Sequence, residues 1–317
     1  MFKWCSNTYK LEFFAIIKFI FKTFLWAQKL HLQCLNGGES AMKVVILAGG
    51  FGTRLSEETH LIPKPMVEIG GRPILWHIMK CYSHYGFDDF IICGGYKCDV
   101  IKNFFNHYFL YTSDVTFDFK RKKTEFISSK AEDWCVTIVD TGLDTMTGSR
   151  VKKIQHLLND NEPFFLTYGD GVCDLNFRDQ LNFHKSHGKM ATVLAVTPPG
   201  RFGSMTIEGE KVTKFIEKPQ GDNCGRINGG FFIFNKPFVR YLTEDDCSLE
   251  SGPLDRLACQ GQLVAHEHDG FWFAMDTLRD KNKLDDLWKR GSAPWKMSDR
   301  ANYQHSAKIN PLRALKG

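Results

Sequence analysis

Several things are missing from this chain of 317 residues, and each absence closes a class of function. None of its 10 cysteines forms a Cys-x-x-Cys pair, so neither a zinc ribbon nor a redox motif is written here. A chain this long does not need disulfide staples either, and reduced thiols in the cytoplasm are the expectation. The close histidine pairs His184/His187 and His266/His268 lack accompanying cysteines and read as surface or loop histidines, not metal ligands. Charge of one sign is scarce: 41 basic against 36 acidic residues leaves a net +5, which gives no call for nucleic acid. Internal repeats, low-complexity segments and an interdomain linker are absent as well. No Gly-Lys-Ser/Thr tripeptide occurs, which removes a P-loop.

A long uninterrupted apolar run is also lacking. The densest stretch, Leu11 to Ala27, is broken by Glu12, Lys18 and Lys22, and is too short and too charged for a membrane span. On a helix, Lys18, Lys22 and Lys29 fall within about 40° of one another, so a basic amphipathic helix lying on a membrane surface is one reading. The other is a leader outside the working protein, with Met42 as the natural start before Lys43-Val44-Val45-Ile46-Leu47. A cleaved signal peptide fits poorly, because no clean apolar core ends in small residues. The expected division is an extension at 1–41, a body at 42–296 and a polar tail at 297–317.

What is present is strand and helix in alternation. Val44 to Ala48 is an apolar run stopped by glycines, as in a strand covered on both faces. The spacing then predicts a helix over Ile74 to Tyr85, a strand at Phe90 to Cys93, and a helix from Asp99 to Tyr108 with Asp99 as cap. A strand at Val136 to Val139, a basic helix at Arg150 to Leu158 and a strand at Phe164 to Thr167 come next. Phe177 to His187 is helical with Gly188 as its stop, and Ala191 to Val196 is a strand. After Gly203 the rhythm changes to a hairpin of Ser204 to Ile207 and Lys211 to Ile216. Strands at Gly230 to Phe234 and Leu263 to His266 and a helix at Leu278 to Arg290 close the body. The fold class is α/β: a Rossmann-like mixed sheet flanked by helices, with a small antiparallel extension.

The strongest local signal stands directly after the first strand: Leu47-Ala48-Gly49-Gly50-Phe51-Gly52-Thr53-Arg54-Leu55. Three glycines in four residues let backbone approach a ligand and aim amides at phosphate oxygens. A dinucleotide fingerprint begun at Gly50 would need glycine where Leu55 stands. Pro63-Lys64-Pro65 comes next, two prolines holding extended backbone around one lysine. Lys64 and Arg54 beside such a loop suit a reaction that builds negative charge at phosphorus. Asp170, in the turn Tyr168-Gly169-Asp170-Gly171, and Asp276, after Trp272 to Met275, are carboxylates at strand ends, where open α/β sheets bind ligands. Together they could hold Mg²⁺ on phosphate oxygens, or each could be only a turn former; spacing does not choose.

These residues resemble a known family. LAGGFGTRL followed by PKPMVEIGGRPILWHIM is similar to the nucleotide-sugar pyrophosphorylases, and YGDGVCD, PPGRFG, EKPQGD, INGGFF, MDTLRD and GSAPWK narrow the match. The resemblance covers about residues 42–296. It implies a GT-A-like nucleotidyltransferase fold and transfer of a cytidylyl group from CTP to α-D-glucose 1-phosphate, giving CDP-glucose and diphosphate. The family resemblance also implies oligomers and a product used in 3,6-dideoxyhexose and O-antigen lipopolysaccharide synthesis. By the same resemblance Leu47, Ala48, Gly49, Gly50, Phe51, Gly52, Thr53 and Arg54 hold base and triphosphate, with Thr145, Arg150 and Gly169 also at the nucleotide. Lys64 matches the catalytic lysine, Asp170 and Asp276 the Mg²⁺ ligands. Gly203, Glu217, Lys218, Asn228 and Gly229 match the sugar-phosphate side. Where the family pattern reads Lys-Pro-Lys-Pro, this chain has Ile62-Pro63-Lys64-Pro65. Two alternatives stay open: a sister pyrophosphorylase using dTTP or UTP, and a regulatory homologue that binds nucleotide sugars without making them.

Overall fold

The computed structural model of the protein describes residues 42–198, 204–208, 211–216, 225–245 and 247–297, with backbone alone at 54, 56, 57, 204–208 and 211–216. The expected extension at 1–41 and most of the tail, 298–317, lie outside the described residues.

Strand β1 (Lys43–Leu47) shows why the sheet is buried on both faces. Side chains alternate along a strand. Here Val44 and Ile46 enter one apolar cluster while Val45 and Leu47 enter a second. Helix α1 (Ile74–His84) covers the first face with Ile74, Leu75, Ile78, Met79 and Tyr82. Val151, Ile154, Phe238, Leu254 and Leu257 cover the other. A helix-covered parallel pair is the arrangement that continuous apolar strands require.

β1 pairs in parallel with β2 (Asp89–Gly94), whose outer neighbour is β5 (Cys135–Asp140). Between them in sequence lie helix α2 (Cys98–Tyr111) and a hairpin of β3 (Ser113–Asp118) and β4 (Lys123–Ser129). On its other edge β1 pairs in parallel with β6 (Pro163–Tyr168). Beyond β6 stand β11 (Ile227–Asn235), β8 (Ala191–Val196) and β12 (Leu263–His268), completing a seven-stranded sheet. β11 runs antiparallel to both neighbours, so the sheet is mixed as expected. The hairpin of β9 (Ser204–Glu208) and β10 (Lys211–Ile216) forms where alternation placed it. A further two-stranded ladder joins β7 (Gly171–Cys173) to β13 (Trp272–Ala274).

Most helix limits match the spacing, and α4 (Phe177–His187) does so at both ends, capped by Asn176 and closed by Gly188 in the left-handed region. Three expectations change. Asp99 does not cap α2 but lies in its first turn: the helix starts one residue early, with Lys97 at the N-cap position (φ 49°, ψ 41°) making no side-chain cap and the Cys98 amide donating to the Gly95 carbonyl. The basic helix begins earlier, as α3 (Thr147–Lys153), and tightens to a 3₁₀ turn at Gln155–Leu157. His184 is not a surface residue. It is buried between Thr192 Oγ1 and Asn235 Oδ1, at 2.8 and 3.3 Å, and burial lowers its pKa. The hairpin β3–β4 and the short helix α5 (Pro253–Cys259) were not expected from the sequence pattern. Among the described residues, no helix is long and apolar enough to cross a membrane, and Cys81, Cys93, Cys98, Cys173, Cys247 and Cys259 are free thiols.

Candidate active site

The C-terminal ends of β1 and β6 open onto a cleft of about 870 Å³. Leu47, Ala48, Gly49, Gly50, Phe51, Gly52 and Thr53 form one lip of it. Loop geometry is set by backbone: the Ala48 amide donates to Cys93 O at 2.9 Å, and the Gly49 carbonyl accepts from the Tyr96 amide at 3.1 Å. Gly52 turns the chain at φ 64°, a conformation that side-chain-bearing residues rarely adopt, and so starts the 3₁₀ turn Thr53–Leu55. Arg54 lies in that turn by its backbone, and its side chain is outside the described residues.

Pro63 (φ −69°, ψ 148°) delivers Lys64 from extended backbone into a second 3₁₀ turn, Lys64–Met66. The side chain then crosses to the sheet edge. Its Nζ lies 2.6 Å from Asp170 Oδ2 and 2.8 Å from Asp276 Oδ1. Burial alone would lower the Lys64 pKa. The charge and hydrogen bond of Asp170, then those of Asp276, outweigh it and leave the pKa above its ordinary value. The ammonium is thus held protonated between two carboxylates.

The β7–β13 ladder explains how residues 106 apart meet. Gly171 pairs with Ala274, and the Met275 amide donates to the Asp170 carbonyl at 2.9 Å, so both aspartates leave the ladder on the same side. Asp276 is further fixed by its C-terminal neighbours: Thr277 and Asp280 form a capping box at the start of α6 (Leu278–Lys289). Gly169 makes the approach possible. A Cβ there would stand 2.9 Å from both Leu47 O and Pro65 Cγ, and the Gly169 amide donates to Leu47 O at 2.9 Å.

Thr145, Arg150, Asn228 and Gly229 line the same cleft. Arg150 is also tied to the protein's own backbone. It is 4% exposed, and its terminal nitrogens donate to the carbonyls of Gly49, Gly94, Gly142 and Leu143 and to Thr141 Oγ1, at 2.6–3.1 Å. Two terminal NH₂ groups carry four hydrogens, and five acceptors claim them. Arg150 therefore braces the glycine loop from beneath. On the opposite wall the Trp272 indole donates to Gly229 O at 2.7 Å, and Asn228 Oδ1 accepts from the Gly230 amide at 2.8 Å. Gly203, Glu217 and Lys218 lie outside the described residues.

Among the lining residues that the sequence analysis did not single out, one carries a charge at the centre of a hydrogen-bond cluster. Glu250, between β11 and α5, accepts hydrogen bonds from the hydroxyls of Tyr168, Thr147 and Ser248, the last two at 2.8 and 2.7 Å. It stands in Ser248-Leu249-Glu250-Ser251-Gly252, a polar loop sequence with no signal of its own.

A parallel sheet edge carrying a glycine loop, a lysine and two convergent carboxylates defines a nucleotide-handling transferase. Residues 43–290 match the family described as nucleotidyl transferase, and the chain belongs to that family. It is 55% identical over 255 residues to glucose-1-phosphate cytidylyltransferase of Salmonella typhi, covering 80% of this chain and 99% of that one. It is 40% identical over 257 residues to the probable glucose-1-phosphate cytidylyltransferase of Bacillus subtilis (strain 168), covering 81% and 100%. Among solved structures, HddC from Yersinia pseudotuberculosis superposes with a TM-score of 0.57 at 24% identity, over 78% of this chain and 99% of that one. An apo UDP-glucose pyrophosphorylase gives 0.56 at 15%, over 79% and 98%. At such identities the two structures speak for the fold, which is the GT-A-like nucleotidyltransferase α/β architecture.

Proposed function

We propose that the chain transfers the cytidylyl group of CTP to α-D-glucose 1-phosphate, forming CDP-glucose and diphosphate. The observation that carries this reading is the Lys64 ammonium fixed between Asp170 and Asp276 at the mouth of the glycine-loop cleft. The names of the relatives at 55% and 40% identity supply the base and the sugar.

The chemistry asks little of the protein beyond placement and charge. A phosphate monoester is already ionised at pH 7, so no general base is required. An oxygen of the sugar phosphate attacks the α-phosphorus in line, the bond to diphosphate breaks, and the released charge stays on diphosphate. The glycine loop, Thr145 and Gly169 receive the nucleotide, with Arg150 holding the loop in shape. Lys64, together with Arg54, stabilises charge as it builds on the triphosphate. Asn228 and Gly229, with Gly203, Glu217 and Lys218, receive the sugar phosphate.

Two carboxylates that already converge on one cation, with hard oxygen donors and a nucleotide-sized cleft beside them, fit a divalent metal ion, Mg²⁺ for this family. Asp170 and Asp276 would hold it, and it would supply charge neutralisation at the phosphates. The catalytic body is residues 42–296, working in the cytoplasm as a homo-oligomer. Its product is consumed in 3,6-dideoxyhexose synthesis for surface polysaccharide.

Diphosphate release from the full chain with glucose 1-phosphate, Mg²⁺ and each of CTP, UTP, dTTP and ATP tests the reading. Turnover confined to CTP is expected. Preference for UTP or dTTP would replace the base assignment, and binding without turnover would replace the enzyme. The same assay on residues 42–317 shows whether the extension matters to catalysis.

A further inference from the structure

Glu250 presents a problem that its structural role does not solve. Its carboxylate joins three segments: Tyr168 at the end of β6, Thr147 at the start of α3, and Ser248 in its own loop. Every donor is a neutral hydroxyl, and among the described residues no lysine, arginine or histidine forms an ion pair with it. Burial pushes its pKa up, yet the hydroxyls of Tyr168, Ser248 and Thr147 and its own amide bring it below the ordinary carboxylate value. Tyr168 donates its hydroxyl hydrogen to Glu250 Oε1. A negative charge stabilised by hydroxyls, with no cation paired to it among the described residues, therefore sits in the wall of a cleft meant for phosphate esters.

Its location narrows what the charge is for. Through Thr147 it touches the segment next to Thr145, on the nucleotide side. Through Tyr168, whose hydroxyl also meets the Asn228 side chain, it reaches the turn on the sugar-phosphate side. Glu250 stands at the seam between the two halves of the cleft. There it repels phosphate and attracts hydrogen-bond donors. Oε2 takes two of the three hydroxyls and Oε1 only Tyr168, so Oε1 has room for another donor.

We propose that Glu250 is a substrate-positioning residue that accepts a hydrogen bond, at Oε1, from a hydroxyl on a sugar ring of the bound substrates. Resting on the transferase reading above, this assignment makes Glu250 the group that orients sugar hydroxyls away from, and phosphates toward, Lys64 and the glycine loop. Two rings offer such hydroxyls, the ribose of the nucleotide and the hexose of the sugar phosphate, and the test separates them.

The full-length chain and its Glu250→Gln variant are assayed with Mg²⁺, first on CTP and glucose 1-phosphate, then with one deoxy analogue at a time. The ribose arm uses 2′-deoxy- and 3′-deoxy-CTP. The hexose arm uses glucose 1-phosphates lacking one ring hydroxyl each. Loss of a charge-assisted hydrogen bond lowers kcat/KM about 10- to 100-fold in the variant. The wild type should reject one analogue by a similar factor, and with that analogue the two proteins should become equal. The arm in which they converge identifies the ring. An equal Glu250→Gln penalty with every analogue, or no penalty at all, overturns the assignment and leaves Glu250 a brace. Should Glu250→Gln melt far below the wild type, Glu250→Asp replaces it, keeping the charge one methylene shorter under the same comparison. A wild type that releases no diphosphate from CTP and glucose 1-phosphate overturns the transferase reading first, and the positioning role with it.

Discussion

Replacing Lys64 by methionine removes the ammonium that lies 2.6 and 2.8 Å from Asp170 and Asp276 while keeping most of the side-chain volume. Two consequences can be sized. Loss of one preorganised transition-state contact in a partly water-excluded site costs about 10²-fold or more in turnover, near 2.7 kcal/mol. Stability responds separately, because two carboxylates then face each other without the cation they share. A charge-assisted hydrogen bond contributes roughly 1.5–3 kcal/mol, but deleting the ammonium also removes its desolvation penalty. The three side chains are 14%, 28% and 21% exposed, so solvent screens part of the effect. A net loss of about 2 kcal/mol is reasonable, equivalent to a melting point lower by roughly 4–8 °C for a body this size.

The two effects diverge when metal is added. In the ligand-free wild type Lys64 occupies the space between the carboxylates, so a divalent ion must compete with it. In Lys64→Met that competition is gone, and Mg²⁺ with CTP should raise the melting temperature more than in the wild type. Steady-state diphosphate release and thermal melts, each with and without Mg²⁺, read both effects on one preparation. Turnover within threefold of wild type would refute the role of Lys64 in charge stabilisation. Equal stabilisation of the two proteins by Mg²⁺ and CTP would refute the shared position.

Asp170→Asn should abolish Mg²⁺-dependent activity while its melting point stays within a few degrees of wild type; normal turnover at ordinary Mg²⁺ would remove Asp170 from the metal set. Gly169→Ala forces a Cβ to within 2.9 Å of Leu47 O and Pro65 Cγ, so the turn carrying Asp170 must shift. Turnover should fall at least about tenfold, because displacements of this size in a positioned site are expensive, and an unchanged kcat would show that the turn has slack. His77 is 2% exposed and locked as a neutral ring: Nε2 donates to Ile69 O at 2.8 Å, and Nδ1 accepts from the Trp295 indole at 3.4 Å. Burial lowers its pKa from 6.5 to about 4. The unfolded chain takes up a proton first as pH falls, so stability is intact above pH 6.5 and is lost toward pH 4, by about 3 kcal/mol across that window. Urea midpoints of wild type and His77→Gln at several pH values should show a shallower slope in the variant, and identical slopes would refute this.

The sheet was legible because its central strands are short apolar runs stopped by glycine or, for β8, by proline, and β1, β6 and β8 fell within two residues of their expected limits. The glycine loop and Lys64 were legible for a local reason: φ > 0 at Gly52 and the extended backbone before Lys64 are fixed by residues in the motif itself. The convergence of Asp170 and Asp276 was not, because it depends on a three-residue ladder with no alternation to detect. Hairpin β3–β4 was hidden by its own polarity: β4 is exposed along its whole length, and Lys120-Arg121-Lys122-Lys123 at the turn reads as solvated loop. Glu250 was invisible because a carboxylate in a polar loop acquires meaning only from the three hydroxyls that surround it.

Arg150 and Lys64 show how two cations of one cleft can be engaged differently. Both line the same cleft; Lys64 stands out from the residues themselves, Arg150 as a nucleotide contact only through the family resemblance. Guanidinium has a rigid planar fork, well suited to satisfying several carbonyls at once, and Arg150 spends its terminal hydrogens on three backbone segments. A buried cation so engaged fixes the loop's shape and has few donors left for a ligand. An ammonium is a point charge on a flexible stem, and among the described residues Lys64 is held by two carboxylates, partners it can leave when a metal ion or a phosphate takes them. The transferable charge is the one whose partners are themselves ligands-in-waiting. On that ground we assign the proposed chemistry to Lys64 and the shaping of the loop to Arg150. Arg150→Lys should then raise KM for the nucleotide through a distorted loop, while Lys64→Arg, keeping the charge but with the wrong shape between two aspartates, should lower kcat.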